Sequence, residues 1–374
     1  MKSLAYIANI RLPTEKAHGI QIVKTCESLV SSDLKVVLVV PTRKNNHKEN
    51  PFKFYSIKEN FSIIKVWCLD LVNLPFFKKI FFWIETLTFY YAVRAYIKKE
   101  NIDIFYTRDL YIALELSKVY NSVYYEVHSL PQQPSSKYIK TWSRVKGIIV
   151  ISQNIKDDLV KFGVDANKII IARDAVDIEK FNINRTKDSS RKKLHIPKDK
   201  KIALYTGHLY KWKGAHIFAE TAKELPELDF YIVGGTDVDL KRFKEKYNFK
   251  NLKYIGWQSH DEMPDWMNAV DVLILPNCGE EKISSHYTSP MKMFEYMASG
   301  TPIVASDLPS IREVLSEDNA VLVEAGNVVE LANGIKKVLT QEDLSDSLVK
   351  QANLDVKKYD WESRAKEIVN FILK

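Results

Sequence analysis

The stretch from Asp271 to Ala305 leaves this chain few architectures to choose from. In Asp271-Val272-Leu273-Ile274-Leu275 a continuous apolar run follows Asp271 and is stopped by Pro276, and Pro302-Ile303-Val304-Ala305 carries a second such run. Unbroken runs of this length mark strands buried on both faces, as in parallel sheets. Between them lies Ser289-Pro290-Met291-Lys292-Met293-Phe294-Glu295-Tyr296-Met297-Ala298-Ser299-Gly300. Its ends are marked as helix ends. Ser289 suits an N-cap, Pro290 the first helical position, and Gly300 the left-handed residue that stops a helix. Strand, loop, helix, strand is the parallel α/β unit, whose ligands bind at the carboxyl ends of the strands. The loop from Asn277 to Thr288 opens at that edge, and the helix start at Ser289, Pro290 and Met291 points into the same crevice. Free N–H groups and the helix dipole make such a terminus attractive to phosphate. Glu295 lies just over a turn further in, where a carboxylate accepts hydrogen bonds from vicinal hydroxyls such as those of a ribose. The same pattern also fits a capped surface helix with a solvated Glu295.

With 374 residues, the chain is long enough for two domains with full cores. Its three cysteines, Cys26, Cys68 and Cys278, lie far apart with no metal-ligand spacing, which suggests a reducing compartment. The apolar start, Met1 to Ile10, has no small-residue cleavage site and reads as a first buried strand rather than a signal peptide. Together these point to a cytoplasmic protein. The net charge of +8 suits a nucleic-acid surface, an anionic membrane surface or general solubility, but no nucleic-acid motif accompanies it.

The first half opens as β-loop-α-β. In its loop, Gly19 either lets a backbone approach a ligand closely or simply makes a turn. The aromatic segment Leu74 to Tyr91 carries Lys78 and Lys79 and runs on to Arg94, Lys98 and Lys99. Interrupted by Glu85, it is too short to span a bilayer about 30 Å thick. It reads as a core helix, as a helix at a membrane interface with lysines meeting anionic headgroups, or as both on different faces. Arg108 and His128 each follow a predicted strand, Ile102–Tyr106 and Val123–Val127, and so stand at a ligand-facing edge. Arg108 contacts a substrate there or pairs with Asp109, and a lone His is more often structural than functional.

The polar, basic stretch 184–201 reads as a linker. Beyond it, Ile202–Gly207 and His208-Leu209-Tyr210-Lys211-Trp212-Lys213-Gly214 make a strand, a glycine turn and a lysine ahead of the next helix, which suits phosphate. The spacing is not that of a P-loop. Asp229 to Gly235 repeats strand and glycine turn, with Gly234 allowing a base or phosphate close. Asp237-Val238-Asp239 has the look of a metal-binding pair but lacks the surrounding pattern, so no metal is assigned. Ser310 and Glu313 have the spacing of a capping box.

"SPMKMFEYMASGTPIVASDLPSIREVL" resembles the donor-binding block of the retaining glycosyltransferases of family 4, which have the GT-B fold, and "RLPTEKAHGIQIVKTCESL" resembles their N-terminal loop and helix. In that family two Glu residues with seven residues between them precede the small-Gly-x-Pro segment. The second corresponds to Glu295, implied to hold the ribose of a nucleotide sugar. The first falls at Tyr287, which is not acidic. "YEVHS" is similar to the segment whose His lies close to the transferred sugar, which implies a hydrogen-bonding role for His128. The family carries Gly-Arg and then Lys-Gly after the strand that ends at Gly207. The Lys matches Lys213, implied to neutralise the donor diphosphate, and the Arg position is His208, with Lys211 nearby as a substitute charge.

The resemblance implies two Rossmann-like doubly wound α/β domains facing a cleft. Residues 1–183 form the acceptor side, residues 202–358 the nucleotide-sugar side, and a helix over 359–374 crosses back to the first domain. The implied activity is metal-independent, cofactor-free transfer of a sugar, with retention, from a nucleotide-diphosphate sugar to a hydroxyl. The acceptor expected is a glycan or lipid-linked glycan of cell-surface polysaccharide or glycolipid synthesis, used by a cytoplasmic protein peripheral to the inner face of the cell membrane. A sugar-nucleotide epimerase on the same fold and a non-catalytic nucleotide-sugar or glycan-binding protein are the alternatives.

Overall fold

The computed structural model describes residues 1–30, 34–71 and 78–374. Contacts divide the chain into two units, Met1–Arg173 with Trp361–Lys374, and Asp174–Asp360.

Unit 1 holds β1 (Lys2–Ile7), β2 (Leu34–Pro41), β3 (Ser62–Val66), β4 (Ile104–Thr107), β5 (Val123–Val127), β6 (Gly147–Val150) and β7 (Ile169–Ile171). They form one seven-stranded sheet in the order β3-β2-β1-β4-β5-β6-β7, every neighbouring pair parallel. Unit 2 repeats the plan with β8 (Ile202–Thr206), β9 (Asp229–Val233), β10 (Leu252–Gly256), β11 (Val272–Leu275), β12 (Ile303–Asp307) and β13 (Val321–Glu324). Their order is β10-β9-β8-β11-β12-β13, again all parallel. Both are doubly wound, so the strand order reverses between β1 and β4 in one unit and between β8 and β11 in the other. Ligands of such sheets bind outside the carboxyl ends of the strands at that reversal. In unit 2 the residues at this point are Gly207, which follows β8, and Pro276 and Asn277, which follow β11.

The cores explain the runs in the sequence. Alternate residues of β8 join two separate clusters, Ile202 and Leu204 on one face, Ala203 and Tyr205 on the other. A strand covered on both faces has no polar side to alternate with.

The stretch 184–201 is not a free linker. Lys187–Leu194 is a helix, and its Arg191 is buried with every donor group placed. Nη2 meets Asp271 at 2.7 Å, Nε donates to the carbonyl of Ala269, and Nη1 to those of Lys198 and Lys200. A basic stretch reads as solvated when its carboxylate partner lies 80 residues away in sequence. Val176 and Phe181, ahead of it, are buried in the core of unit 2.

In unit 1 the helix Lys78–Ile97 presents two faces. Glu85, Thr86, Phe89, Tyr90, Val93 and Ile97 are buried, whereas Ile80, Phe82, Trp83, Leu87 and Tyr91 are exposed. Glu85, which interrupts the apolar run, is fully enclosed and accepts from Arg43 Nε at 3.0 Å. Leu74 to Phe77 lie outside the described residues. No helix among the described residues is long and apolar enough to cross a membrane.

Candidate functional site

The helix after β11 begins one residue later than its sequence suggests. It spans Met291–Ala298 with Pro290 at the N-cap, and Gly300 follows in the left-handed region at φ 74°. Ser289 therefore caps nothing; its buried Oγ has no hydrogen-bond partner among the described residues. Proline at the cap leaves the first amides of the helix, those of Met291 and Lys292, without a side-chain acceptor. Tyr296 ties the helix to the end of β8, since its hydroxyl accepts from the Thr206 amide at 3.0 Å and lies 2.9 Å from Thr206 Oγ1.

Glu295 stands on this helix beside His260, whose Nε2 is 3.0 Å from Oε1. Lys180 Nζ lies 3.2 Å from the other ring nitrogen, Nδ1. An ammonium only donates, so Nδ1 accepts and Nε2 carries the proton given to Glu295. His260 thereby fixes the carboxylate.

The turn after β8 is held by close backbone approach. Gly207 sits at φ 119°, and a Cβ on Gly234, itself at φ 115°, would lie 2.6 Å from the Gly207 oxygen. Gly214, at φ 72°, is tighter still: a Cβ there would lie 1.6 Å from the carbonyl oxygen of Pro276. Only glycine lets the Lys211–Lys213 turn meet the end of β11 this closely. The carbonyl of Trp212 accepts from the Cys278 amide and from Ser284 Oγ, which binds the loop after β11 to the same turn.

Lys213 rises from this turn. Its Nζ lies 3.8 Å from where a Gly207 Cβ would be, and 5.9 and 5.3 Å from the ring centres of Tyr210 and Trp212. No carboxylate pairs with it among the described residues, and burial pulls its ammonium down to about 8. His208 stacks on Tyr210 at 5.3 Å, and its carbonyl accepts from the Tyr205 hydroxyl. Lys211 is not a substitute charge, because it is exposed and paired with Glu280 at 2.7 Å. A cation the sequence reading passed over, Lys292, is buried nearby and donates to the Thr206 carbonyl at 3.2 Å.

Unit 1 gathers a second polar centre at the carboxyl ends of its strands. Glu126, on β5, is completely buried. Its Oε1 receives Gln21, Arg364 and His128 at 2.9, 2.8 and 2.7 Å; its Oε2 receives Tyr106 at 2.8 Å. Burial alone would raise its carboxyl, yet the Arg364 charge and the bond to His128 hold it well below the usual range. His128 is thus a ring oriented by a buried carboxylate, and Arg108 reaches the same network by donating to Gln21 at 2.7 Å.

Other expectations land elsewhere. Gly19 is the third residue of the helix Ala17–Val30 and not a loop glycine. The close approach it permits is to Tyr55, whose hydroxyl would be 2.3 Å from an added Cβ and clamps the Thr14 backbone through both its amide and its carbonyl. Tyr287 is 1% exposed, enclosed within the short helical turn Ile283–Tyr287, with Lys282 over its ring. Asp237 and Asp239 lie in the first turn of a helix capped by Thr236, whose hydroxyl donates to Asp239. Ser310 makes no capping box; it donates to the Ser284 carbonyl at 2.6 Å.

The chain matches two family models end to end. Glycosyltransferase Family 4 covers residues 19–180, and Glycosyl transferases group 1 covers residues 186–355. The chain belongs to the family 4, or group 1, glycosyltransferases. An uncharacterized glycosyltransferase of Methanocaldococcus jannaschii is 24% identical over 63% of this chain and 61% of its own length. A D-inositol 3-phosphate glycosyltransferase of Corynebacterium urealyticum is 23% identical over 59% of this chain and 55% of its own. These matches thus span under two thirds of the relatives' own length. Among solved structures, the sucrose-phosphate synthase of Thermosynechococcus elongatus superposes with a TM-score of 0.81 at 18% identity, over 99% of this chain and 98% of its own. HepE of Anabaena, solved with UDP-glucose, gives 0.76 at 15% identity over the whole of both chains. The fold is therefore GT-B, two parallel-sheet α/β domains.

Glu126, Arg364, His260 and Lys292 were missed in the sequence. One of them is within reach: Glu126 lies on β5 two residues before His128, which follows the strand's end, so a contact between them is a local expectation. Arg364 and His260 come from distant segments, and neither belongs to the quoted motifs.

Proposed function

We propose that this protein transfers a sugar from a nucleotide-diphosphate sugar to a hydroxyl acceptor, with the donor held by unit 2 and the acceptor by unit 1. The observation that carries the reading is the convergence at the end of β8. The Lys213 ammonium lies beside the Gly207 turn at the strand reversal of unit 2, and the helix Met291–Ala298, which carries Glu295, is bonded to the end of β8 through Tyr296 and Lys292. A diphosphate suits the free amides and the unpaired cation, and the ribose hydroxyls suit Glu295, which His260 holds in place. HepE, solved with UDP-glucose, has the same fold.

In this mechanism the leaving diphosphate gathers negative charge as the glycosidic bond breaks. Lys213 and the helix amides are pre-placed to stabilise that charge, with no cofactor and no metal assigned a step. Retention follows from attack by the acceptor hydroxyl on the face that the diphosphate leaves: the new bond to the anomeric carbon replaces the one to the diphosphate, and the hydroxyl proton passes to the departing phosphate oxygen. His128, steadied by Glu126, supplies a hydrogen bond near the transferred sugar.

The acceptor we favour is a glycan or lipid-linked glycan, met at an anionic membrane surface. The exposed Ile80, Trp83, Leu87 and Tyr91 form a stripe at helical spacing, and Lys137 lies 4.7 Å over the Trp83 ring. Lys137 and Lys140 are exposed on the helix Ser136–Arg144. Apolar side chains beside exposed lysines are what an interface of acyl chains and anionic headgroups binds.

The test is a thermal-shift panel of nucleotide sugars, followed by donor hydrolysis without acceptor and by product anomer analysis. The reading expects one donor to raise the midpoint, slow hydrolysis of that donor, and a retained anomer. Turnover unchanged in both Glu295→Ala and Lys213→Ala would overturn the site assignment. Donor binding with no hydrolysis and no transfer would leave a nucleotide-sugar-binding protein.

A further inference from the structure

A diphosphate at the Gly207 turn carries more charge than one ammonium balances. The family's second cation, an arginine, falls here at His208, whose ring is stacked on Tyr210. Lys211, next in line, is committed to Glu280 on the surface.

We propose that Lys292 is the second phosphate-binding cation, standing in for that arginine, so that the donor diphosphate is clamped between Lys213 and Lys292 across the Gly207 turn. The proposal rests on the donor reading above and deepens it.

Its ground is where Lys292 points. A residue in the first turn of a helix ordinarily directs a long side chain to solvent. Lys292 instead runs inward, 8% exposed, to the carbonyl of Thr206, the residue before Gly207. Its Nζ sits 4.2 Å from the centre of the Tyr205 ring. One carbonyl at 3.2 Å uses one of three ammonium donors. No carboxylate lies within ion-pair distance of Lys292 or Lys213 among the described residues. Burial holds the Lys292 ammonium well below a lysine's ordinary range, and repulsion from Lys213 adds to it. A buried and a half-buried ammonium repel each other here, with the Glu295 carboxylate, further along the helix, offsetting only part of the burden on Lys292, and this destabilises the empty protein. An anion seated between them relieves both burdens, and the Met291 and Lys292 amides and Ser289 Oγ stand at the same helix start. A lysine kept only to cap the Thr206 carbonyl would need no second ammonium beside it.

The experiment measures dissociation constants of UDP, GDP, ADP and CDP and of the matching monophosphates, for wild type, Lys292→Met, Lys213→Met and the double variant Lys292→Met/His208→Arg. A charged hydrogen bond of this kind is worth about 10–100-fold. The expected result is that Lys292→Met weakens the preferred diphosphate about 10–100-fold and lowers its advantage over the monophosphate. The variant melts at or above the wild-type temperature, and His208→Arg restores part of the lost affinity. Equal weakening of mono- and diphosphate together with a lower melting temperature would mean that Lys292 is a packing residue, and would overturn the proposal. Diphosphate weakened by Lys213→Met but not by Lys292→Met would overturn it while leaving the donor site standing. Wild type that binds none of the four diphosphates would overturn the donor reading itself.

Discussion

Replacing Lys213 by methionine should stabilise the empty protein while damaging its function. The side chain keeps its length and its packing against Tyr210 and Trp212, and only the charge goes. In the folded chain burial draws the Lys213 ammonium from 10.5 to about 8. At about 1.4 kcal/mol per tenfold change in proton affinity, this is a penalty of about 3 kcal/mol on holding the charge. The folded state binds this proton less tightly than the unfolded chain does. Between pH 8 and 10.5 the unfolded state therefore holds more protons, and stability rises with pH. Below pH 8 the penalty is present in full. Lys213→Met should accordingly raise the unfolding free energy at pH 7 by about 1–3 kcal/mol, after part of the penalty is lost to relaxation. The advantage should shrink steadily from pH 8 to pH 10. Relief of the repulsion felt by Lys292 acts in the same direction. Urea unfolding at pH 7, 8, 9 and 10 measures the gap. A variant less stable than wild type at pH 7, or a gap that does not narrow toward pH 10, would refute the claim that an unpaired, half-buried charge is kept here for a ligand.

Four further outcomes follow from the same geometry. Diphosphate binding by the wild type should weaken as pH rises through about 8, where Lys213 loses its proton, and calorimetric titrations across pH 6.5–9.5 check this. Glu126→Gln leaves Arg364 buried without a counter-charge; it should cost about 3–5 kcal/mol in denaturant unfolding, well above an average substitution. Gly214→Ala places a Cβ against the Pro276 carbonyl at a left-handed φ and should cost about 2 kcal/mol or more, read from the melting temperature. Trp83→Ser with Leu87→Ser should reduce co-sedimentation with anionic vesicles at low salt without lowering the melting temperature, since both side chains are exposed. Indifference of the wild type to lipid charge would count against the membrane reading.

What the sequence displayed was governed by local rules. The strand that ends at Leu275 is an unbroken apolar run, and the one that ends at Thr206 is apolar up to that residue, because both of their faces are covered. Gly300 stops its helix because it alone takes φ 74° without strain. What it hid was set by partners far along the chain. The helix Lys187–Leu194 looks like a linker until Asp271 is placed beside Arg191. The edge strands Ser62–Val66 and Val321–Glu324 are only partly buried and lack the long apolar runs of the central ones. Gly19 reads as a loop glycine because nothing local shows that Tyr55 fills the space above it. Ser289 has the composition of a cap, but the proline that follows it takes the cap position itself. Lys292 was overlooked because, by composition, a lysine in a helix's first turn is a solvated one.

The most direct measurement is a crystal structure of the protein with the nucleoside diphosphate it prefers. Phosphate oxygens should lie about 2.7–3.2 Å from Lys213 Nζ and from the Met291 or Lys292 amide, with a ribose hydroxyl on Glu295. A diphosphate bound away from the Gly207 turn and the start of the helix Met291–Ala298 would contradict the account.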